Sequence, residues 1–172
     1  MISFMVLSAP RSGSTWASNW LTTEWQLCIH DPVLDTSIEH LDCLPHTRRY
    51  GLACTGLPLL VDWVNARECP KVILHRSLKE VNQSLKRIGL TPLSSAWDGV
   101  LERLAGWHVH YSDLFKTNHA RALWTYLLPD EPFDAERHAL LSQMHIDPHF
   151  PRVAVDRERT REFRQHIERA LA

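Results

Sequence analysis

One short stretch combines side chains and spacing suited to holding an anion: Pro10-Arg11-Ser12-Gly13-Ser14-Thr15-Trp16. Ser12, Gly13, Ser14 and Thr15 are small, so the backbone N–H groups there can approach a ligand closely. Arg11 adds one fixed positive charge. Residues 2–7 ahead of the loop are an apolar run of strand formers, and residues 15–24 behind it place Trp16, Trp20 and Leu21 at helical spacing. A strand, a small-residue loop and a helix N-terminus together make a phosphate cradle, because the first N–H groups and the positive end of the helix dipole face the loop. Trp16, in the first helical turn, is placed to touch a bound nucleotide, whereas Trp20 reads as a core anchor. A second competent pair, His30-Asp31, ends a short strand over 26–29. Ligands of open parallel sheets sit outside the carboxyl ends of the strands. His30 and Asp31 therefore fall on the same rim as the loop, where an acid or base can act on a substrate hydroxyl.

The elements that must position these residues follow from the pattern of the chain. Strands are predicted over 2–7, 26–29, 50–54, 71–76 and 107–111. Helices are predicted over 15–24, 57–66, 77–88, 97–106, 118–128, 135–144 and 156–172, with a short one opened by Asp35 or Thr36 and closed by Pro45. Residues 145–155 read as irregular. Ser77 has the character of an N-cap with Glu80 completing a capping box, and Gly89 that of a helix stop. Asp134 is placed to cap the helix that follows it. Alternating strands and helices predict an α/β fold: a P-loop-like parallel sheet of about four to five strands, flanked by helices on both faces, in one domain over 1–172.

Composition narrows the function classes. A net charge of −1 over 172 residues leaves no basic excess, so nucleic acid is not an expected partner. No stretch approaches the ~20 apolar residues of a membrane span. The apolar run at 2–7 leads straight into the loop and reads as structure, not as an address. Cys28, Cys43, Cys54 and Cys69 form no C-x-x-C pair and match no zinc spacing, so reduced thiols in a cytoplasmic protein are expected. His108 and His110 alternate along a strand and share a face, but no third ligand joins them, and no metal site is expected. Arg48 and Arg49 read as a solvated pair and Arg137 as a surface ion pair. No feature sets an oligomeric state.

The loop departs from the familiar G-x-x-x-x-G-K-[ST] phosphate loop: the first glycine is missing, and no lysine follows Gly13. It resembles the 5′-phosphosulfate loop, P-[KR]-S-G-[ST]-T-W, of sulfotransferases that use 3′-phosphoadenosine 5′-phosphosulfate (PAPS), with every position filled from Pro10 to Trp16. That family also carries an arginine at a strand end and a serine eight residues on, which bind the 3′-phosphate. Arg76 and Ser84 match these two positions, although Leu78 stands where the family has a proline. An arginine fork and a serine hydroxyl are suitable phosphate donors. Tyr111-Ser112-Asp113-Leu114 weakly resembles the family's Y-E-D-L element.

The resemblance implies the sulfotransferase fold in a short form. It also implies sulfuryl transfer from PAPS to a hydroxyl or amine of a small-molecule or glycan acceptor, leaving adenosine 3′,5′-bisphosphate. The implied cofactor-binding residues are Arg11, Ser12, Gly13, Ser14, Thr15, Trp16, Arg76 and Ser84, with Arg11 on the bridging oxygen. The base is left between His30 and Asp31, first by position, and Glu39 and His40 behind them. The family's C-terminal glycine-rich loop has no match, which leaves Arg48, Arg49, Arg137 or Arg152 to complete the 3′-phosphate site. Two other readings stand beside this one. A small P-loop kinase of a nucleotide or metabolite is disfavoured by the missing G-K-[ST], and a non-catalytic binding module of the same fold would bind without turnover.

Overall fold

The first strand of the chain lies in the middle of the sheet. In the computed structural model, which describes residues 1–44 and 48–144, five strands run parallel in the order β2-β3-β1-β4-β5. They are β1 (Ile2–Ser8), β2 (Gln26–His30), β3 (Arg49–Cys54), β4 (Lys71–His75) and β5 (Trp107–His110). The α-helices are α1 (Ser14–Leu21), α2 (Val61–Asn65), α3 (Leu78–Arg87), α4 (Ala96–Glu102), α5 (Thr117–Leu127) and α6 (Ala135–Gln143). This is the expected parallel α/β sheet flanked by helices. Pro45, Arg152 and the segments expected over 145–155 and 156–172 lie outside the described residues. No helix among the described residues is long and apolar enough to cross a membrane.

Side chains alternate across a strand, and here both faces are buried. Phe4, Val6, Val72 and Leu74 join α1, α5 and α6 on one face, through Trp16, Trp20, Leu123, Trp124 and the half-buried Leu141. Met5, Leu7, Leu52 and Ile73 face Leu57, Leu60, Val64, Leu101 and Leu104 on the other. Ile2 shares that second core with Met5, which strict alternation forbids. The register explains it: Ile2 pairs with Tyr50 and Met5 with Leu52, so β1 carries one extra residue there, a β-bulge.

Several elements are shorter than their patterns predict, for local reasons. The first helix stops at Leu21, not at 24, because the Thr22 and Thr23 hydroxyls accept from the backbone N–H groups of Cys28 and Gln26 and turn the chain into β2. The stretch 57–66 splits into a single 3₁₀ turn, Leu57–Leu59, and the short α2. The segment expected to open at Asp35 or Thr36 is a 3₁₀ stretch, Ile38–Cys43, preceded by Ser37. Strand β4 ends at His75, so Arg76 lies just past it. Ser77 occupies the N-cap position of α3 but its side chain makes no capping bond. The capping box does not form, because Glu80 instead faces Arg76 at 3.6 Å. The other end of α3 follows expectation: Gly89 has φ 75°, its N–H bonds to the Lys86 carbonyl, and the Leu90 N–H reaches back to Leu85. Asp134 caps α6 by accepting from the Arg137 N–H at 2.8 Å.

Two glycines should respond oppositely to alanine. A Cβ on Gly51 in β3 would lie 2.3 Å from Cζ of the fully buried Phe4 ring. Gly51→Ala should therefore destabilise by about 1–3 kcal/mol through overpacking. A Cβ on Gly99, inside α4, meets nothing within 4 Å. Gly99→Ala should stabilise by about 0.5–1 kcal/mol. Urea midpoints of the two variants check both signs.

Candidate functional site

The sheet order creates a crevice between β1 and β4. The chain leaves β1 towards β2 through α1, on one face. It leaves β4 towards β5 through α3 and α4, and α4 packs on the other face. Such a reversal is where parallel sheets hold ligands, beyond the strands' carboxyl ends. A cavity of ≈ 710 Å³ lies there, and its wall takes residues from the ends of β2, β3, β1 and β4. With strands about 4.8 Å apart, that line of four spans roughly 14 Å.

The loop after β1 forms the middle of the wall. Two of its residues take left-handed backbone, Gly13 at φ 95° and Arg11 at φ 65°. The glycine is required twice over: besides its φ, a Cβ would sit 2.8 Å from Cε2 of Tyr111. For Arg11, a non-glycine residue held in this region costs of order 1 kcal/mol or more, and something must hold it there. That restraint is Arg76, whose Nη1 donates to the Arg11 carbonyl at 2.6 Å. Arg76 is itself fixed by the Tyr111 ring, with its guanidinium carbon 4.5 Å from the ring centre. The Arg11 side chain reaches in the same direction, and its Nε donates to Ser84 Oγ at 2.9 Å. The two motifs, more than sixty residues apart in sequence, thus meet in direct bonds. Helix α1 starts at Ser14 without a side-chain cap, so its first N–H groups face the cavity without intrahelical partners.

On the β2 side, His30 closes the strand and touches the loop. Its Nε2 lies 3.0 Å from Ser14 Oγ, 3.1 Å from Thr15 Oγ1 and 3.3 Å from Asp31 Oδ2. Asp31 also takes left-handed backbone, at φ 44°. Its carboxylate is 11% exposed and accepts from the backbone N–H of Thr55 at 2.5 Å and from the Thr55 hydroxyl at 3.1 Å. Asp31 is thereby locked, and it holds a negative charge beside the imidazole.

Arg11, Gly13, Ser14, Thr15, Trp16, His30, Asp31, Arg76 and Ser84 all line the cavity. Ser12 does not: its side chain is fully buried and its hydroxyl has no hydrogen-bond partner among the described residues. The Ser12 hydroxyl is therefore turned away from any ligand, and only its backbone N–H remains on offer. Trp16 contributes one edge, since it is 6% exposed and its indole N–H is tied to the Leu141 carbonyl at 3.0 Å. Glu39 and His40 are absent from the wall. His40 instead meets Ser37 Oγ at 2.7 Å.

Of the arginines expected to complete a second phosphate site, the three among the described residues are employed elsewhere, and Arg152 lies outside them. Arg48 donates to the Thr23 carbonyl, Arg49 pairs with Asp130, and Arg137 donates to the Asn19 carbonyl. Residues that the sequence did not single out for this site stand in the wall: Thr55, Glu80, Gln83, Arg87 and Tyr111. Tyr111 carried a signal, the Tyr-x-Asp-Leu order. Thr55 follows the end of β3 directly, a rim position by the same rule that placed His30.

Behind Arg76 lies a histidine pair. His108 Nε2 meets the Leu104 carbonyl at 2.9 Å, so that nitrogen carries the proton. Its Nδ1 then accepts from His75 Nε2 at 2.8 Å, and the rings stack with centres 5.1 Å apart. His108 is thus turned towards β4, while His110 Nδ1 turns to Ser112. Burial and then the neighbouring His108 hold the His75 imidazole below its ordinary value, with His110 adding to the effect and Asp98 and Glu102 opposing it. On acidification the unfolded chain takes up this proton before the folded one. Stability should therefore fall as pH drops through about 6.5. A thermal scan from about pH 7.5 to about pH 5.5 should show the loss, and His75→Asn should flatten the slope.

No protein-family model and no curated protein matches this chain, so the purpose of the site is argued from its own residues.

Proposed function

We propose that this chain is a sulfotransferase, moving the sulfuryl group of PAPS to a hydroxyl or amine acceptor. One observation carries the reading: the Arg11 loop and the Arg76–Ser84 pair, recognised separately in the sequence, are joined through Arg11–Ser84 and Arg76–Arg11 bonds in one cavity. A single-phosphate nucleotide would need only the loop. A loop with a second arginine-and-serine site beside it suits a nucleotide carrying phosphates at both ends of its ribose.

In this reading the backbone N–H groups at the start of α1, with the Ser14 and Thr15 hydroxyls, hold the 5′-phosphate. Arg76 and Ser84 face the 3′-phosphate. Arg11 stands between them, where its guanidinium stabilises charge growing on the oxygen that bridges phosphorus and sulfur. As that sulfur–oxygen bond breaks, a new one forms to the acceptor oxygen or nitrogen. The acceptor's proton passes to His30 Nε2, and the Asp31 carboxylate beside it stabilises the resulting positive charge. Ser14 and Thr15, both on His30 Nε2 here, turn to the phosphate when it arrives, which makes room for the acceptor at that nitrogen with Asp31 Oδ2 still beside it. The acceptor approaches over the ends of β2 and β3, the rim where His30 and Thr55 stand.

Calorimetry and turnover test this together. The chain should bind adenosine 3′,5′-bisphosphate and release its sulfuryl group from PAPS to an acceptor. Arg11→Ala should lower transfer by about 10²–10³-fold. His30→Ala should lower it by about 10²–10⁴-fold and leave bisphosphate binding intact. Tight binding of magnesium-ATP with none of the bisphosphate would replace this reading with a kinase. Bisphosphate binding without transfer, and no effect of His30→Ala, would reduce the chain to a binding module.

A further inference from the structure

The second phosphate site, as built from Arg76 and Ser84, is short of positive charge. Arg76 spends one nitrogen on the Arg11 carbonyl and lies against Tyr111. Glu80 stands 3.6 Å from its Nε, in the same cavity wall, and opposes any anion there. That Nε is buried, and with Nη1 on the Arg11 carbonyl the fork is only partly available. Arg48, Arg49 and Arg137 are tied to other groups away from the cavity.

Among the described residues, one further arginine reaches the wall. Arg87 lies in the last turn of α3, three residues beyond Ser84, and residues three apart share a helix face. It is exposed, and no described residue bonds or pairs with it. The end of α3 is also well fixed. The left-handed Gly89 and the Leu90–Leu85 bond close the helix just past its Ile88 cap, which keeps Arg87 on the rim instead of in a fraying turn.

We infer that Arg87 is the cation that completes the 3′-phosphate site, so that α3 supplies both the hydroxyl and the charge that distinguish a 3′,5′-bisphosphate from a 5′-monophosphate. This rests on the sulfotransferase reading and names the residue that sets its nucleotide specificity. Ser84 and Arg87 present one donor surface along a single helix face. Glu80, one turn earlier, tempers it.

The test compares adenosine 3′,5′-bisphosphate with adenosine 5′-monophosphate by calorimetry at low salt, using the parent chain, Arg87→Gln, Glu80→Gln and Lys86→Gln. Lys86 is the exposed neighbour that does not line the cavity. Arg87→Gln should weaken the bisphosphate roughly tenfold, as loss of a charge-assisted bond does, and leave the monophosphate unchanged. Glu80→Gln should strengthen the bisphosphate, and Lys86→Gln should leave the ratio of the two ligands as it is. If the parent itself shows no preference for the bisphosphate, the sulfotransferase reading falls and this inference falls with it. If the parent prefers it and Arg87→Gln keeps that preference, only the role of Arg87 is overturned. An equal loss in Lys86→Gln would also overturn it, by showing a diffuse field in place of a contact.

Discussion

The candidate site depends on a single backbone carbonyl. Arg11 holds its φ at 65°, and the carbonyl that this conformation presents is taken by Arg76. Without that bond the turn has little reason to stay left-handed. With it, the Arg11 side chain is directed to Ser84, Gly13 is pressed under Tyr111, and α1 starts with its N–H groups facing the cavity. A charged donor gives this bond more strength than a neutral one would have. The same guanidinium is stacked on an aromatic face, so the brace is itself braced. Loop, strand end and helix start are therefore one mechanical unit, not three neighbouring features.

The sheet supplies the frame for that unit. Burial on both faces makes the strands rigid, and the crossing of connections between β1 and β4 opens the crevice above them. His30 and Arg76 stand at the ends of β2 and β4, with the loop between, so an imidazole and a guanidinium are separated by the width of two intervening strands. The Asp31 carboxylate, fixed by Thr55, keeps the His30 side of this arrangement as ordered as the Arg76 side.

Much of this was legible in the sequence because it depends on local order. Small residues from Ser12 to Thr15 announce a loop, apolar runs announce strands, and rim positions follow from strand ends. Where the reading departs from the structure, another contact, a neighbouring one or a distant one, outcompetes the expected one. Glu80 is drawn to Arg76 and does not complete the capping box. Thr22 and Thr23 prefer the next strand's N–H groups and shorten α1. Arg49 and Arg137 look like spare cations until Asp130 and the Asn19 carbonyl are seen beside them. The Ser12 hydroxyl is buried between two left-handed residues, and the residue types announce that conformation only at Gly13, not at Arg11. Arg87 follows from Ser84 by helical spacing, but the family motif ends at Ser84 and drew attention no further along α3.

The central position of β1 has a consequence for how the fold assembles. Ile2 pairs with Tyr50, and Met5 with Lys71, so the earliest strand in the chain has no partner on either side until dozens of later residues exist. Pairings so distant in sequence are slow to form, because a long loop must close before any contact rewards it. During synthesis from the N-terminal end, Phe4, Met5, Val6 and Leu7 would wait as an unpaired apolar segment, the kind that sticks to other chains. The loop from Pro10 to Thr15, attached to that segment, is made before the strands that brace it and takes its shape only after them.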